Sequence, residues 1–371
     1  MQYAVRYHAV SVMSNSTQSA RPASQAITIW LAAILALVAS IVLVGGLTRL
    51  TESGLSITEW KPVSGIIPPL SEADWQVELE KYRSTTQYQV LNKGMALDQF
   101  KTIFWWEWGH RVLARVIGLA VLIPLMFFWL TGRLGGRELR DSLILFGLVC
   151  AQGLMGWLMV VSGLVGRLEV SQYRLAAHLG LAFVIFAWTL RMLMHRLQPA
   201  VGGKADRPAM WLAGLVFVQI LLGALVAGLD AGLTYTTWPM MDGKLVPDGL
   251  MTMQPWWANF GENITTIQFQ HRMAAYLIVA VAMIVALRAM RREVAAGSAM
   301  AVLGVTCVQV VLGIVTLLAG ADGVQPIALG AMHQLGALAL FAVSIVHVHQ
   351  TRATQGRPSH LPLQFAAPAK T

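Results

Sequence analysis

The stretch Glu107-Trp108-Gly109-His110-Arg111-Val112-Leu113-Ala114-Arg115 sets four ionisable residues at the mouth of a long apolar run. A charge near a bilayer centre costs roughly 2.5–3.5 kcal/mol, so such residues are usually shallow, paired or functional. Glu107 and His110 are three apart, which puts both side chains on one helical face. Far downstream, Gln268-Phe269-Gln270-His271-Arg272 repeats the pattern and again opens an apolar run. A His-Arg pair used twice in this way points to a duplicated membrane protein.

Composition agrees. The 371 residues are 56% hydrophobic and 12% charged, with a mean hydropathy of +0.60, values that exclude a soluble core of this size. The net charge of +9 is spread over short loops between apolar runs, which makes it topology information and not a nucleic-acid patch. Residues 1–25 are polar and hold no apolar run of the kind a cleavable signal peptide needs. The two cysteines, Cys150 and Cys307, lie inside apolar runs. They read as small core residues, with no disulfide framework or thiolate metal site.

Eight apolar runs reach the length of about 20 residues that a helix needs to cross roughly 30 Å of hydrocarbon. They lie near Ala26–Leu47, His110–Leu130, Ser142–Val165, Leu175–Met194, Met210–Leu229, Phe269–Leu287, Ser298–Ala319 and Ile327–Val348. Arg133, Arg137 and Arg140 follow the second run, Arg196, Lys204 and Arg207 the fourth, and Arg288, Arg291 and Arg292 the sixth. The tail adds Arg352 and Arg357, whereas the fifth-to-sixth and seventh-to-eighth connections share only Lys244. The positive-inside rule therefore puts both termini in the cytoplasm. The long connection from about Thr48 to Glu107 lies outside. It carries an expected surface helix capped by Ser71, with Glu72 and Asp74 in its first turn.

The chain repeats. Ala176-Ala-His178-Leu-Gly is echoed by Ala331-Met-His333-Gln-Leu-Gly, and Gln152-Gly-Leu-Met-Gly by Gln309-Val-Val-Leu-Gly. Matching positions lie about 155–161 residues apart, four spans on, so the two halves share one orientation and form a parallel repeat. The expected fold is all-α: a polytopic membrane protein with eight transmembrane helices in two tandem pseudo-symmetric four-helix bundles. The expected boundaries are a cytoplasmic tail at 1–25, a first unit at 26–195, a cytoplasmic linker at 196–209, a second unit at 210–350 and a tail at 351–371.

His110, His178, His271 and His333 each open an even-numbered span, so all four belong at similar depth near the outer face. Each half supplies two, from its second and fourth helices. Two histidines projecting from facing helices can bind one haem iron from both sides, whereas zinc or copper typically wants three or four ligands. A single such histidine is more often an ordinary interfacial residue; four at equivalent places favour axial ligation. His347, His349, His8, His195 and His360 take the ordinary reading. Arg111, Arg272 and Arg115 are candidates to pair with haem propionates, the alternative for Arg111 and Arg272 being snorkelling to the interface. Three residues before the ligand the first half has Glu107 and the second Gln268. A carboxylate can move protons or stabilise developing positive charge, and an amide can only hydrogen-bond. One reactive and one auxiliary haem are therefore expected, unless Glu107 merely pairs with Arg111 four residues on.

From about Ala26 to Val348 the chain resembles the haem A synthase family of cytochrome oxidase assembly. The likeness rests on Gly45-Gly-Leu-Thr-Arg-Leu-Thr-Glu-Ser-Gly-Leu-Ser, on Thr58-Glu-Trp-Lys-Pro, on Glu107-x-x-His110-Arg111 and on the other three histidines. It implies a resident haem b between His271 and His333, and the substrate haem o between His110 and His178. It also implies oxidation of a ring methyl of haem o to the formyl group of haem A, with Glu107 at the family's essential acidic position. Some members carry a cysteine pair in the first outer loop. Residues 48–107 here hold none, which places the chain with the cysteine-free class. Implied partners are haem o, haem o synthase, cytochrome oxidase assembly factors, an electron-transfer partner, membrane lipid and a second copy in a homo-oligomer, with no nucleic acid. The expected location is the bacterial inner membrane, ahead of the mitochondrial one. Two alternatives stay open. A b-type electron-transfer subunit would commonly place two histidines on one helix to stack haems at two depths, and this chain has one per helix. A non-catalytic haem carrier would not need Glu107 set against Gln268.

Overall fold

A computed structural model of the chain describes residues 22–61, 64–164, 166, 168–199 and 203–355. Among these residues there is no β-strand, and eight helices are long and apolar enough to cross a membrane. They are α1 (Pro22–Leu50), α4 (Leu97–Leu130), α5 (Gly136–Gly163), α6 (Gln172–Leu197), α7 (Arg207–Gly228), α9 (Ile264–Arg292), α10 (Ala296–Ala319) and α11 (Ile327–Gln355). Short helices α2 (Glu72–Arg83), α3 (Thr86–Val90) and α8 (Asn259–Glu262) lie in the two long connections. The expected terminal tails fall largely outside the described residues.

The spanning helices close into two rings. In the first, α1 packs on α4, α4 on α5, α5 on α6, and α6 returns to α1; α7, α9, α10 and α11 repeat the circuit. The rings meet through α6 against α7 and α1 against α11, with α6 and α11 touching on the pseudo-twofold axis. Apolar helices gain no hydrophobic drive from lipid, so close packing and interhelical hydrogen bonds must join them. At the axis, Phe341 lies 5.5 Å from Phe183 and 6.0 Å from Phe217, centroid to centroid. Off the axis, the Gln334 amide of α11 donates to the Val42 carbonyl of α1. Gly46 makes room for that amide, because a Cβ there would sit 1.8 Å from the Gln334 oxygen.

Two sequence expectations need correction. The second span does not begin at His110. Its helix starts at Leu97 and runs 34 residues, about 51 Å at 1.5 Å per residue, so its first turns stand outside the hydrocarbon. There Phe100 and Phe104 pack with Trp75, Leu79 and Tyr82 of α2 and with Tyr88 of α3 in a small separate core. Trp105 joins the wall of this cap, its ring 5.6 Å from that of Trp75. Helix α2 itself starts where expected, with Ser71 and Asp74 forming a reciprocal capping box. The second correction concerns Cys150 and Cys307, which are exposed on α5 and α10. A helix surrounded by lipid is apolar on its outer face too, so an apolar neighbourhood in the sequence does not imply a core position.

Candidate functional site

The four histidines occupy equivalent slots. His110 of α4 lies against Gly45 of α1, His178 of α6 against Gly156 of α5, His271 of α9 against Gly223 of α7, and His333 of α11 against Gly313 of α10. A Cβ at those glycines would come within 3.1, 3.3, 3.2 and 2.9 Å of the respective rings. In all four cases glycine is what lets an imidazole enter between two helices. Each glycine lies five to seven residues before the end of its helix, so the four slots share one depth near the face that carries the long connections. The histidines sit deeper than "opening a span" implied. His110 is thirteen residues into α4, and the other three are six or seven residues into theirs. Across each ring the pair is close enough to interact electrostatically, His110 with His178 and His271 with His333.

Three of the rings have a keeper one turn before the glycine on the same neighbouring helix. The Gln152 amide nitrogen donates to the His178 carbonyl at 3.1 Å and lies 3.3 Å from its Nε2. The Gln219 nitrogen donates to the His271 carbonyl at 3.0 Å and lies 3.1 Å from Nδ1. The Gln309 nitrogen donates to the His333 carbonyl at 2.9 Å and lies 3.1 Å from Nδ1. In all three the amide oxygen is buried without a partner, as is Nδ1 of His178. A metal-bound imidazole almost always donates its second nitrogen to an acceptor. Here the amide atom against each ring is the nitrogen and the oxygen has no partner; turned about, the same amide would give each ring the acceptor that a metal-bound imidazole needs. The residues present therefore fit a group that takes one nitrogen of each ring. Among the described residues no cluster of three or more histidine, cysteine or acidic side chains suits a bare metal ion.

The arginines turn out to hold loops. Arg111 donates to the carbonyls of Ile57 at 2.8 Å and Glu59 at 2.9 Å, and stacks 5.5 Å from the Trp60 ring. Arg272 donates to the carbonyls of Tyr235 at 2.7 Å and Thr237 at 2.9 Å. Arg115 donates to the Lys61 carbonyl at 2.7 Å. The equivalence extends to sequence, since Gly54-Leu-Ser-Ile-Thr-Glu-Trp60 matches Gly232-Leu-Thr-Tyr-Thr-Thr-Trp238. The residues just ahead, Glu52 and Asp230, both take positive φ, 53° and 47°. Each unit thus carries the same strap, clamped above its histidine by an arginine fork. The Nε of Arg111 and of Arg272 is buried and unpartnered, so one donor on each stays available to an anionic group.

Glu107 and Gln268 treat their straps in opposite ways. Glu107 is 2% exposed. Its Oε1 accepts from Arg111 at 2.6 Å, and its Oε2 accepts from the Ser56 hydroxyl at 2.7 Å and the Ile57 N–H at 2.8 Å. Gln268 instead donates to the Tyr235 carbonyl at 2.9 Å, leaving its oxygen buried and unpartnered. The simple Glu107–Arg111 pair considered from sequence is present. It is one part of a buried network that includes the strap, and Ser56 is a member the sequence reading missed.

Residues 28–345 match the COX15-CtaA family, described as cytochrome oxidase assembly protein. The chain belongs to this family. Among its relatives, a protein of Parvibaculum lavamentivorans named heme A synthase is 52% identical over 329 residues, covering 88% of this chain and 94% of the relative. Heme A synthase of Azorhizobium caulinodans is 48% identical over 337 residues, covering 89% and 95%. That of Agrobacterium fabrum is 52% identical over 329 residues, covering 86% and 88%. Within this cytochrome oxidase assembly family member, the keeper glutamines and slot glycines were legible as a spacing. Gln-x-x-x-Gly occurs at Gln152–Gly156, Gln219–Gly223 and Gln309–Gly313. The repeat read from the sequence takes in the first and third, and Gly45 follows Ile41 in place of a glutamine.

Proposed function

We infer that this protein is a haem A synthase, converting the ring methyl of haem o to the formyl group of haem A. The observation that carries this reading is the set of four glycine-backed imidazoles in two facing pairs, with a buried carboxylate above only one pair. Relatives near 50% identity that bear the same name over nearly the whole chain support it.

The first unit takes haem o between His110 and His178, and the second holds a resident haem b between His271 and His333. When bound, haem b supplies one-electron chemistry beside the substrate site. The chain's own residues set the stage for both. His110 and His178 orient the substrate ring at a fixed depth between the helices. Arg111 and Arg272 offer their free Nε–H to carboxylate groups at the porphyrin edge. Methyl oxidation withdraws electrons and sheds protons. Glu107, one helical turn from His110, is the residue placed to relay a proton or to balance positive charge as it develops. Ser56 and the Ile57 N–H fix its orientation, so no reorganisation is needed during the step. Gln268 cannot ionise and gives the second unit no such capacity, which suits an auxiliary role.

The chain is a multi-pass membrane protein. The lysine and arginine distribution supports both termini in the cytoplasm and the straps on the outer side of a bacterial inner membrane. Haem o synthase, which would supply the substrate, cytochrome oxidase assembly factors and an electron-transfer partner complete its setting. The test is to incubate membranes containing the protein with haem o, then extract and identify the haems by mass. Haem A should form with the wild-type chain and not when His110 or His178 is replaced by alanine. Haem o recovered unchanged from wild-type membranes that also support oxidase electron flow would overturn the reading.

A further inference from the structure

Three of the four slots hold a glutamine and one does not. Counting back one turn from the slot glycine gives Gln152, Gln219 and Gln309 on α5, α7 and α10, but Ile41 on α1. The register is secure. Gly45 and Gly223 face equivalent histidines, and the straps that follow them share the positive-φ residue, Glu52 or Asp230, and the same arginine contacts. No other amide fills the gap, since Gln334 reaches α1 nearby but spends its nitrogen on the Val42 carbonyl. Among the described residues the His110 ring has no hydrogen-bond partner.

We propose that His110 is a releasable ligand, and that Ile41 is the positioning residue that makes it so by withholding the amide its three counterparts receive. An acceptor on the second imidazole nitrogen fixes the ring's tautomer and orientation and raises its basicity toward a metal. Both histidines of the second unit have an amide beside the ring, bonded to the histidine carbonyl through its nitrogen, whose unpartnered oxygen, turned toward the ring, is that acceptor. In the first unit His178 is kept and His110 is not. One face of the iron there has a fixed ligand, and the other has a ligand that leaves with little cost. A substrate that must enter and depart as product needs that asymmetry, and a resident cofactor does not. Ile41 also offers no hydrogen bond that would have to break when the ring swings aside. This assignment takes the first unit as the substrate half, as proposed above, and adds which side of the substrate opens.

The test measures release of each haem, not turnover. Full-length protein in lipid nanodiscs, carrying haem b and loaded with haem o, is mixed with excess apomyoglobin. Transfer of each haem is followed by extraction and mass separation. Loss of an outer-sphere partner typically changes metal affinity 10–100-fold. Ile41→Gln is therefore expected to slow haem o release about tenfold with haem b release unchanged. The reciprocal Gln219→Ile places no new amide in the bilayer, and it is expected to speed haem b release by a similar factor with haem o unchanged. Equal haem o release from wild type and Ile41→Gln, or unchanged haem b release from Gln219→Ile, would overturn the proposal. Failure of the underlying reading looks different: haem o uptake would then survive replacement of both His110 and His178 by alanine.

Discussion

Glu107 is a carboxylate with both oxygens engaged, by a guanidinium, a hydroxyl and a backbone N–H. Truncating one member of a buried ion pair leaves the other uncompensated and costs roughly 3–5 kcal/mol. Glu107→Ala should therefore lower the amount of folded protein in the membrane. Glu107→Gln keeps an oxygen to accept from Ser56 and Ile57 and reproduces the residue type of the second unit, so the chain should accumulate normally. Its rate of haem A formation should nevertheless fall about 100-fold, the lower end of what positioned proton transfer contributes. Extracting haem A from membranes at matched protein levels checks this, and full-rate synthesis by Glu107→Gln would remove the role given to the carboxylate. The slot glycines give a second prediction at this scale. A Cβ at Gly313 would stand 2.9 Å from the His333 ring, so Gly313→Ala should push that imidazole out of line. The purified protein should lose haem b while still taking up haem o. The histidines were legible in the sequence because a rare polar residue in an apolar run is conspicuous. The glycines show there only as a spacing, and their role, like that of Ile41, was not legible, because it depends on which helix faces which.

At the scale of elements, the straps are the least regular parts of each unit and the most dependent on single side chains. Arg272 supports its strap with two charge-assisted bonds to the Tyr235 and Thr237 carbonyls. A lysine cannot reproduce that planar fork. Arg272→Lys should free residues 235–240, seen as faster amide exchange there, with α9 itself unaffected. Equal protection in the variant would show that the strap is held by other contacts. The cap built on α2 yields a pH prediction. The Ser71 hydroxyl, with the N–H groups of Ser71 and Leu70, holds the Asp74 carboxyl below its ordinary value of 3.8. A depressed folded value means the capping contribution is full above the ordinary value and is lost as pH falls through the lower one. Amide exchange over residues 71–75 should therefore accelerate below pH 3.8, and Ser71→Ala should show the faster exchange already at neutral pH. Ser71 was readable as a cap because the signal is local. The Trp75, Tyr82, Phe100 and Phe104 core was not, because it joins residues on two separate helices and lengthens α4 beyond its apolar run.

At the scale of the molecule, two rings repeat one design, and two of their differences carry the chemistry argued above, Glu107 against Gln268 and Ile41 against Gln219. Eight spans, their parallel repeat and the common depth of the four histidines could be read from hydropathy and spacing, since bilayer thickness and helix rise leave few alternatives. The contacts between rings could not, because Arg49, paired with Glu169 of its own unit, reaching Asp230 of the other at 2.9 Å, or Gln334 reaching Val42, joins residues with no periodic signature. The division of labour between the rings is the centre of this account, and one measurement bears on it most directly. The protein with both His110 and His178 replaced by alanine, purified from cells that make haem o, is extracted and its haems identified by mass. The predicted result is haem b at the wild-type level, with neither haem o nor haem A. Recovery of haem o or haem A, or loss of haem b along with them, would contradict it.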